Sequence, residues 1–135
     1  MHGLKGERVL MRIHIEEQDK YKGHPLYEAI LELLRRRHFA GATALRGQLG
    51  FGPTGHVHSQ RVLSLKEDCP VVVEVIDSEE NIQSVLPEID TMVGGGLVTL
   101  EKVRVIMYRP KASAAERAEH EQIEVTGSWR VVPPA

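Results

Sequence analysis

The pattern of apolar and polar residues predicts four β-strands, of which the first and the last show alternation with a period of two. The first is 8–16, and the second, 42–49, leads into a glycine-rich segment. The third, 70–77, is β-branched and apolar on both faces, as expected for an interior strand. The fourth, 97–108, also carries apolar residues on both sides. On the first strand the apolar face consists of Val9, Met11, Ile13 and Ile15.

Helical spacing of apolar residues predicts two helices between these strands. The first helix follows Pro25 and ends near His38, with Gly41 as its stop. The second has an apolar stripe over 82–93 that stops at three consecutive glycines, and Pro87 inside it is expected to bend it or remove one hydrogen bond. Before this helix, Asp77 with Glu80 three residues later resembles a capping box.

The predicted order of elements is β-α-β-β-α-β, which is the ferredoxin-like arrangement of an α+β sandwich. Such a fold has an antiparallel sheet with both helices on one face. Because the last strand is apolar on both sides, we expect the open face of the sheet to pack against other subunits. We divide the chain into a folded domain, 1–110, with a long mobile loop at 50–68, and a polar tail, 111–135.

Composition and charge exclude several classes of protein. With 135 residues, 41% hydrophobic and 27% charged, the chain has the composition of a single globular domain. Its net charge of -2 argues against binding to nucleic acid, which needs a clustered basic surface. Cys69 is the single cysteine, so an internal disulfide and a cysteine-based zinc site are both excluded. Without a targeting segment or a long apolar run, a cytoplasmic protein is expected.

Motifs for catalysis are absent from the sequence. The phosphate-binding loop of nucleoside triphosphatases is not present. The "GFGPTG" segment is not followed by the helix and the acidic residue that a dinucleotide site needs. No nucleophile stands in the context of a triad, so we do not expect an enzyme. His56 and His58 are two residues apart in an extended segment, and their side chains could share a metal ion. Two ligands are too few, and His14, His24 or His38 could complete the set if the fold brings one of them close.

Two further features have alternative interpretations. The triple glycine at 94–96 is either a helix terminator or a backbone nest that receives anions. Glu74 and Lys102 are charges within strands that are otherwise apolar. They form either a cross-strand pair at the surface, or a lysine directed at a ligand phosphate and held in position by the acid.

Several segments in order resemble the PII-type signal-transduction proteins: "GATALRGQLGFG", "PVVVEVIDSEENI" and "GGGLVTLEKVRVI". With "DKYKGHPLYEAILELLRRRHFAGAT", the chain is more similar still to the PII-like group known as domain of unknown function family 190. The resemblance extends from about Glu7 to Tyr108. It implies a PII-like homotrimer that binds ATP, ADP or AMP in clefts between subunits and needs no cofactor. The loop after the second strand would contact a partner such as a membrane transporter or channel.

The resemblance also assigns residues to the nucleotide site. Thr43, the Gly-Phe-Gly at 50–52, Glu74 and Lys102 match residues near the nucleotide in PII proteins. Pro53-Thr54 replaces an Arg-Gln pair, and Thr99-Leu100-Glu101 replaces a Gly-Asp-Gly, so neither uridylylation nor binding of 2-oxoglutarate through magnesium follows from the resemblance. The alternative is a trimeric protein similar to the CutA-type copper-tolerance proteins, with His56 and His58 as copper or zinc ligands. The complete candidate nucleotide site is Thr43, Gly50, Phe51, Gly52, Glu74, Ile76, Gly94, Gly95, Gly96, Lys102 and Arg104.

Overall fold

The computed structural model describes residues 3–59 and 68–110. The proposed tail, 111–135, and residues 60–67 of the proposed loop lie outside these described residues, so the domain boundary at 110 and the bounds of the loop stay predictions. The elements, in chain order, are β1 (Gly6–Glu16), β2 (Lys20–Tyr21), β3 (His24–Pro25), α1 (Leu26–Arg36), β4 (Ala42–Arg46), β5 (Leu49–Phe51), β6 (Val57–Ser59), β7 (Pro70–Asp77), α2 (Glu79–Met92) and β8 (Leu97–Val105).

The main sheet has four strands in the order β4-β7-β1-β8, and every neighbouring pair is antiparallel. Both helices cover one face of this sheet, so the ferredoxin-like sandwich predicted from the sequence is confirmed. The two central strands are β1 and β7, and the edges are β4 and β8. The other face of the sheet is left without a covering layer by the described residues.

The core lies between the helices and the central strands. Alternate residues of β1 and β7 point toward the helices and are buried, which explains why both strands show an unbroken apolar period. Ile13 is fully buried at the centre, and a side chain of this type contributes about 1.5–3 kcal/mol when removed from water. The helices supply the facing layer, with Ile30, Leu34, Ile82, Val85 and Ile89 fully or almost fully buried.

The start of α2 differs by one residue from the predicted capping box. Ser78 is the N-cap, and its hydroxyl accepts a hydrogen bond of 3.1 Å from the Asn81 amide. Asp77 is instead buried, with 1% of its surface exposed. Its carboxylate accepts hydrogen bonds from the Ser78 amide at 2.7 Å, the Asn81 side chain at 2.8 Å and the Ala40 amide at 3.2 Å. Asp77 therefore ties the α1–β4 connection to the first turn of α2.

The predicted second strand is divided in two. β4 ends at Arg46, and the Gly47 amide then donates a hydrogen bond of 2.7 Å to the Pro70 carbonyl. Beyond this bend, β5 pairs with β6 in a separate hairpin, so Gly50–Gly52 do not continue the main sheet. The last strand likewise ends at Val105 rather than at Tyr108.

Lys22 and Gly23 form a two-residue turn between β2 and β3 that the sequence analysis did not predict. Both residues have positive φ angles, 49° and 82°. Within the two described ranges, no helix is long and apolar enough to cross a membrane.

Candidate functional site

The open face of the sheet carries a network of charges at its centre. Arg12 of β1 donates from Nε to Glu74 Oε1 at 2.9 Å and from a terminal nitrogen to Glu101 Oε2 at 3.2 Å. The hydrogen bond to Glu74 raises the pKa of the Arg12 guanidinium, and the charge of Glu101 adds to this effect. One arginine therefore connects β7, β1 and β8 across this face.

The expected pairing of Glu74 with Lys102 is wrong. β1 lies between β7 and β8, and the registers place Glu74 opposite Arg12 but Lys102 opposite Val9. Because Val9 and Arg12 are three residues apart on one strand, their side chains point to opposite faces of the sheet. Glu74 is consequently on the open face, and Lys102 is on the helix side.

A cleft of about 350 Å³ opens at one end of the open face. It brings together three of the predicted nucleotide-site residues, Thr43, Glu74 and Ile76. Thr43 and Glu74 are register partners in β4 and β7, so their side chains are adjacent. Arg12 occupies Glu74 Oε1, which leaves Oε2 as the oxygen available to a ligand. The lining residues that sequence reasoning missed include Leu4, Leu10 and Tyr108.

Gly50, Phe51 and Gly52 lie away from this cleft. A Cβ added at Gly50 would come within 3.2 Å of Pro70 Cγ, so the β5–β6 hairpin stands next to the first residue of β7. Pro70 is four residues from Glu74, which corresponds to about 13 Å along a strand. The Phe51 side chain is 75% exposed at the hairpin.

The remaining predicted residues lie at the opposite edge of the sheet. Gly94, Gly95 and Gly96 connect α2 to β8 and line a second cavity of about 370 Å³ with residues of α2. Lys102 and Arg104 follow on β8, both exposed. Three strand spacings, about 14 Å, separate this edge from β4. Within one chain, the predicted site is therefore divided into three separate groups.

The metal interpretation stays a prediction, because the side chain of His58 lies outside the part of the chain that the structure describes. His56 precedes β6, and His58 lies within it, paired through the backbone with Gly50. Among the described side chains, those of 3–57 and 68–110, no group of three or more histidine, cysteine, aspartate or glutamate residues is arranged to hold a metal ion. His14, His24 and His38 lie on β1, on β3 and after α1, respectively.

Comparison with known sequences identifies related proteins. Residues 8–105 match the family DUF190, described as "Uncharacterized ACR". A UPF0166 protein of Aquifex aeolicus is 39% identical over 74% of this chain and 94% of its own length. A UPF0166 protein of Methanocaldococcus jannaschii is 33% identical over 71% of this chain and 89% of its own. A second UPF0166 protein of Aquifex aeolicus is 28% identical over 73% of this chain and 97% of its own length.

Proposed function

Because the chain belongs to the DUF190 family, we propose that it is a cytoplasmic, PII-like regulator that binds an adenine nucleotide between the subunits of a homotrimer. The observation that carries this proposal is the division of the candidate site between the two edges of one sheet. Thr43 and Glu74 belong to the β4 side, and Lys102 belongs to β8. Contact between the edges of two copies would complete a site that each copy holds only in part.

Exposed apolar side chains at both edges support the proposed assembly. On β8, Leu97 is 58% exposed and Leu100 is 43% exposed, which is unusual for an edge strand in a monomer. The hairpin beyond β4 exposes Leu49 and Phe51. A contact between different edges is heterologous, and such contacts close into a ring when the rotation between copies is one third of a turn.

The chemistry of the three groups fits a nucleotide. Glu74 Oε2 can accept a hydrogen bond from the exocyclic amine of adenine, and the exposed Thr43 hydroxyl can bond to the ribose or the base. The phosphates need cations and amide donors, which Lys102, Arg104 and the glycines at 94–96 of a neighbouring copy would supply. No step of this function requires a bond to be made or broken.

Signalling would depend on the segment 50–68, through which the protein would contact a transporter or a channel. A nucleotide can change the conformation of this segment only if its affinity differs between the two conformations. Gly50 begins the segment next to Pro70, close to the end of the sheet. A nucleotide bound between subunits would act on the segment through that end.

Titration calorimetry with ATP, ADP and AMP tests the ligand. We expect at least one of them to bind more tightly than millimolar, and GTP to bind more weakly because its six-position presents a carbonyl to Glu74. Lys102→Gln should weaken ATP binding roughly tenfold to a hundredfold, since a charged hydrogen bond contributes about 1.5–3 kcal/mol. Lys20→Gln, on the hairpin between β1 and α1, is the matched control. The proposal fails if no adenine nucleotide binds, or if Lys102→Gln binds ATP as the parent does.

Light scattering after size exclusion tests the assembly. Three chains of 15.1 kDa should give a particle of about 45 kDa. Leu97→Asp introduces a charge on the open face of β8 and should release 15.1-kDa monomers with an unchanged circular dichroism spectrum, whereas Leu97→Met should stay trimeric. A trimeric Leu97→Asp variant would show that this part of the open face is not the contact.

A further inference from the structure

A groove of about 660 Å³ lies on the helix layer, on the other side of the protein from the Thr43–Glu74 cleft. α1 forms one wall, the last turns of α2 form the other, and the β2–β3 hairpin lies at one end. Its apolar surface includes buried Leu33 and the half-buried side chains of Tyr21, Ala29 and Met92. The volume lies within the usual range for small-molecule sites.

The acids around this groove are mostly neutralised. Glu32 accepts two hydrogen bonds from Arg35, at 2.7 and 2.9 Å, and this contact lowers the pKa of the Glu32 carboxyl. Glu88 forms an ion pair with Arg37. Glu28 is the acid of the groove that has no ion-pair partner within the described ranges.

Three basic side chains line the same groove: Lys22, His24 and Arg36. None of the three forms an ion pair with any residue of 3–59 or 68–110. Lys22 and His24 come from the hairpin, and Arg36 comes from the last turn of α1. Among the unpaired charges of the groove, positive ones therefore outnumber negative ones, which favours an anionic ligand.

The backbone at Lys22 is in the left-handed region, with a φ of 49°. In such a turn asparagine or glycine is the usual first residue, and another L-residue costs about 1–2 kcal/mol. The turn holds the Lys22 ammonium 5.3 Å from the centroid of the Tyr21 ring, at the end of the apolar surface. The strained turn thus holds the unpaired Lys22 ammonium beside the apolar surface of the groove.

We propose that this groove is a ligand site for an elongated carboxylate with an apolar body, of the size of a medium-chain fatty acid. The carboxylate accepts from Lys22, and the apolar chain lies over Tyr21, Ala29 and Leu33 toward Arg36. From Glu28 to Arg36, α1 rises by about 12 Å, which is about the length of a ten-carbon chain. The aliphatic stem of Arg36 can cover the far end of the chain.

The test uses the full-length protein labelled with ¹⁵N and titrated with decanoate below its micellar concentration. We expect amide shifts at Tyr21, Ala29, Leu33 and Met92, and an affinity for decylammonium at least tenfold lower. Lys22→Asn removes the charge and relieves the strain, so it should fold normally and weaken decanoate binding roughly tenfold. Lys20→Asn, on the same hairpin but outside the groove, should bind as the parent does.

Three results would overturn this proposal. They are equal binding of decanoate and decylammonium, unchanged decanoate affinity in Lys22→Asn, and shifts confined to the exposed apolar residues of β8. The groove and the Thr43–Glu74 cleft share no residue, so the decanoate titration and the nucleotide titration test the two proposals separately.

Discussion

Replacing Gly96 with alanine is expected to destabilise the protein by about 3 kcal/mol, near the upper end of the usual range for single substitutions. A Cβ at this position would lie 2.5 Å from the His14 carbonyl oxygen. That oxygen belongs to the backbone of the central strand β1, which cannot shift without disturbing its pairing with both neighbours. The side chains of Ile15 and Val93 also approach the added carbon to 3.2 Å, so no direction offers relief.

Urea unfolding followed by circular dichroism measures this effect, and the chain supplies its own control. A Cβ at Gly95 would meet nothing within 4 Å, so Gly95→Ala should unfold at nearly the parental urea concentration. Equal midpoints for Gly96→Ala and Gly95→Ala would contradict the steric argument. The pair also separates the two interpretations of the triple glycine, because an anion-binding nest predicts weaker nucleotide binding in Gly95→Ala without a loss of stability.

Asp77→Ala is expected to cost about 3 kcal/mol, since it leaves three half-buried donors without their acceptor. The carboxylate accepts from two backbone amides and from the Asn81 side chain. Without it, the connection after α1 loses its attachment to the start of α2. Amide hydrogens at the end of α1 and at the start of α2 should then exchange faster.

Thermal or urea unfolding with amide hydrogen exchange checks this prediction. Asp90→Ala, which removes an exposed acid from the same helix α2, is the matched control and should change the stability by less than about 0.5 kcal/mol. Asp77→Asn should fall between the two variants, because an amide keeps one oxygen acceptor but presents a donor in place of the other. If Asp77→Ala were as stable as Asp90→Ala, the network would have no structural role.

The fold could be predicted from the sequence because each main element has a clear period. β1 and β7 alternate between buried and less buried positions, and α1 and α2 bury one stripe each. The wrong predictions lie where the local sequence pattern does not distinguish between two adjacent residues. Asp77 and Ser78 are both good N-cap residues, and only the geometry shows that Ser78 serves as the cap while Asp77 is buried. Similarly, the sequence around Gly47 does not show that the second strand bends at that residue.

The candidate site was less predictable, for two physical reasons. The partner of Glu74 depends on the register of two strand pairs, and a shift of one residue changes the face of every side chain. Arg12 was visible as a charge on an apolar strand, but nothing local indicated that it meets Glu74. In addition, Thr43 and Lys102 lie on opposite edges of the sheet. Their relation depends on how copies meet, which the pattern of one chain does not encode.

The strand order also constrains how the chain can acquire its structure during synthesis. β1 and β4 belong to the same sheet but never touch, because β7 lies between β4 and β1. While the ribosome is producing the first half of the protein, neither strand has a partner in the main sheet. The apolar face of β1 therefore stays uncovered by a neighbouring strand until β7 has been synthesised. A chaperone that shields this face during the interval would protect the nascent chain from aggregation.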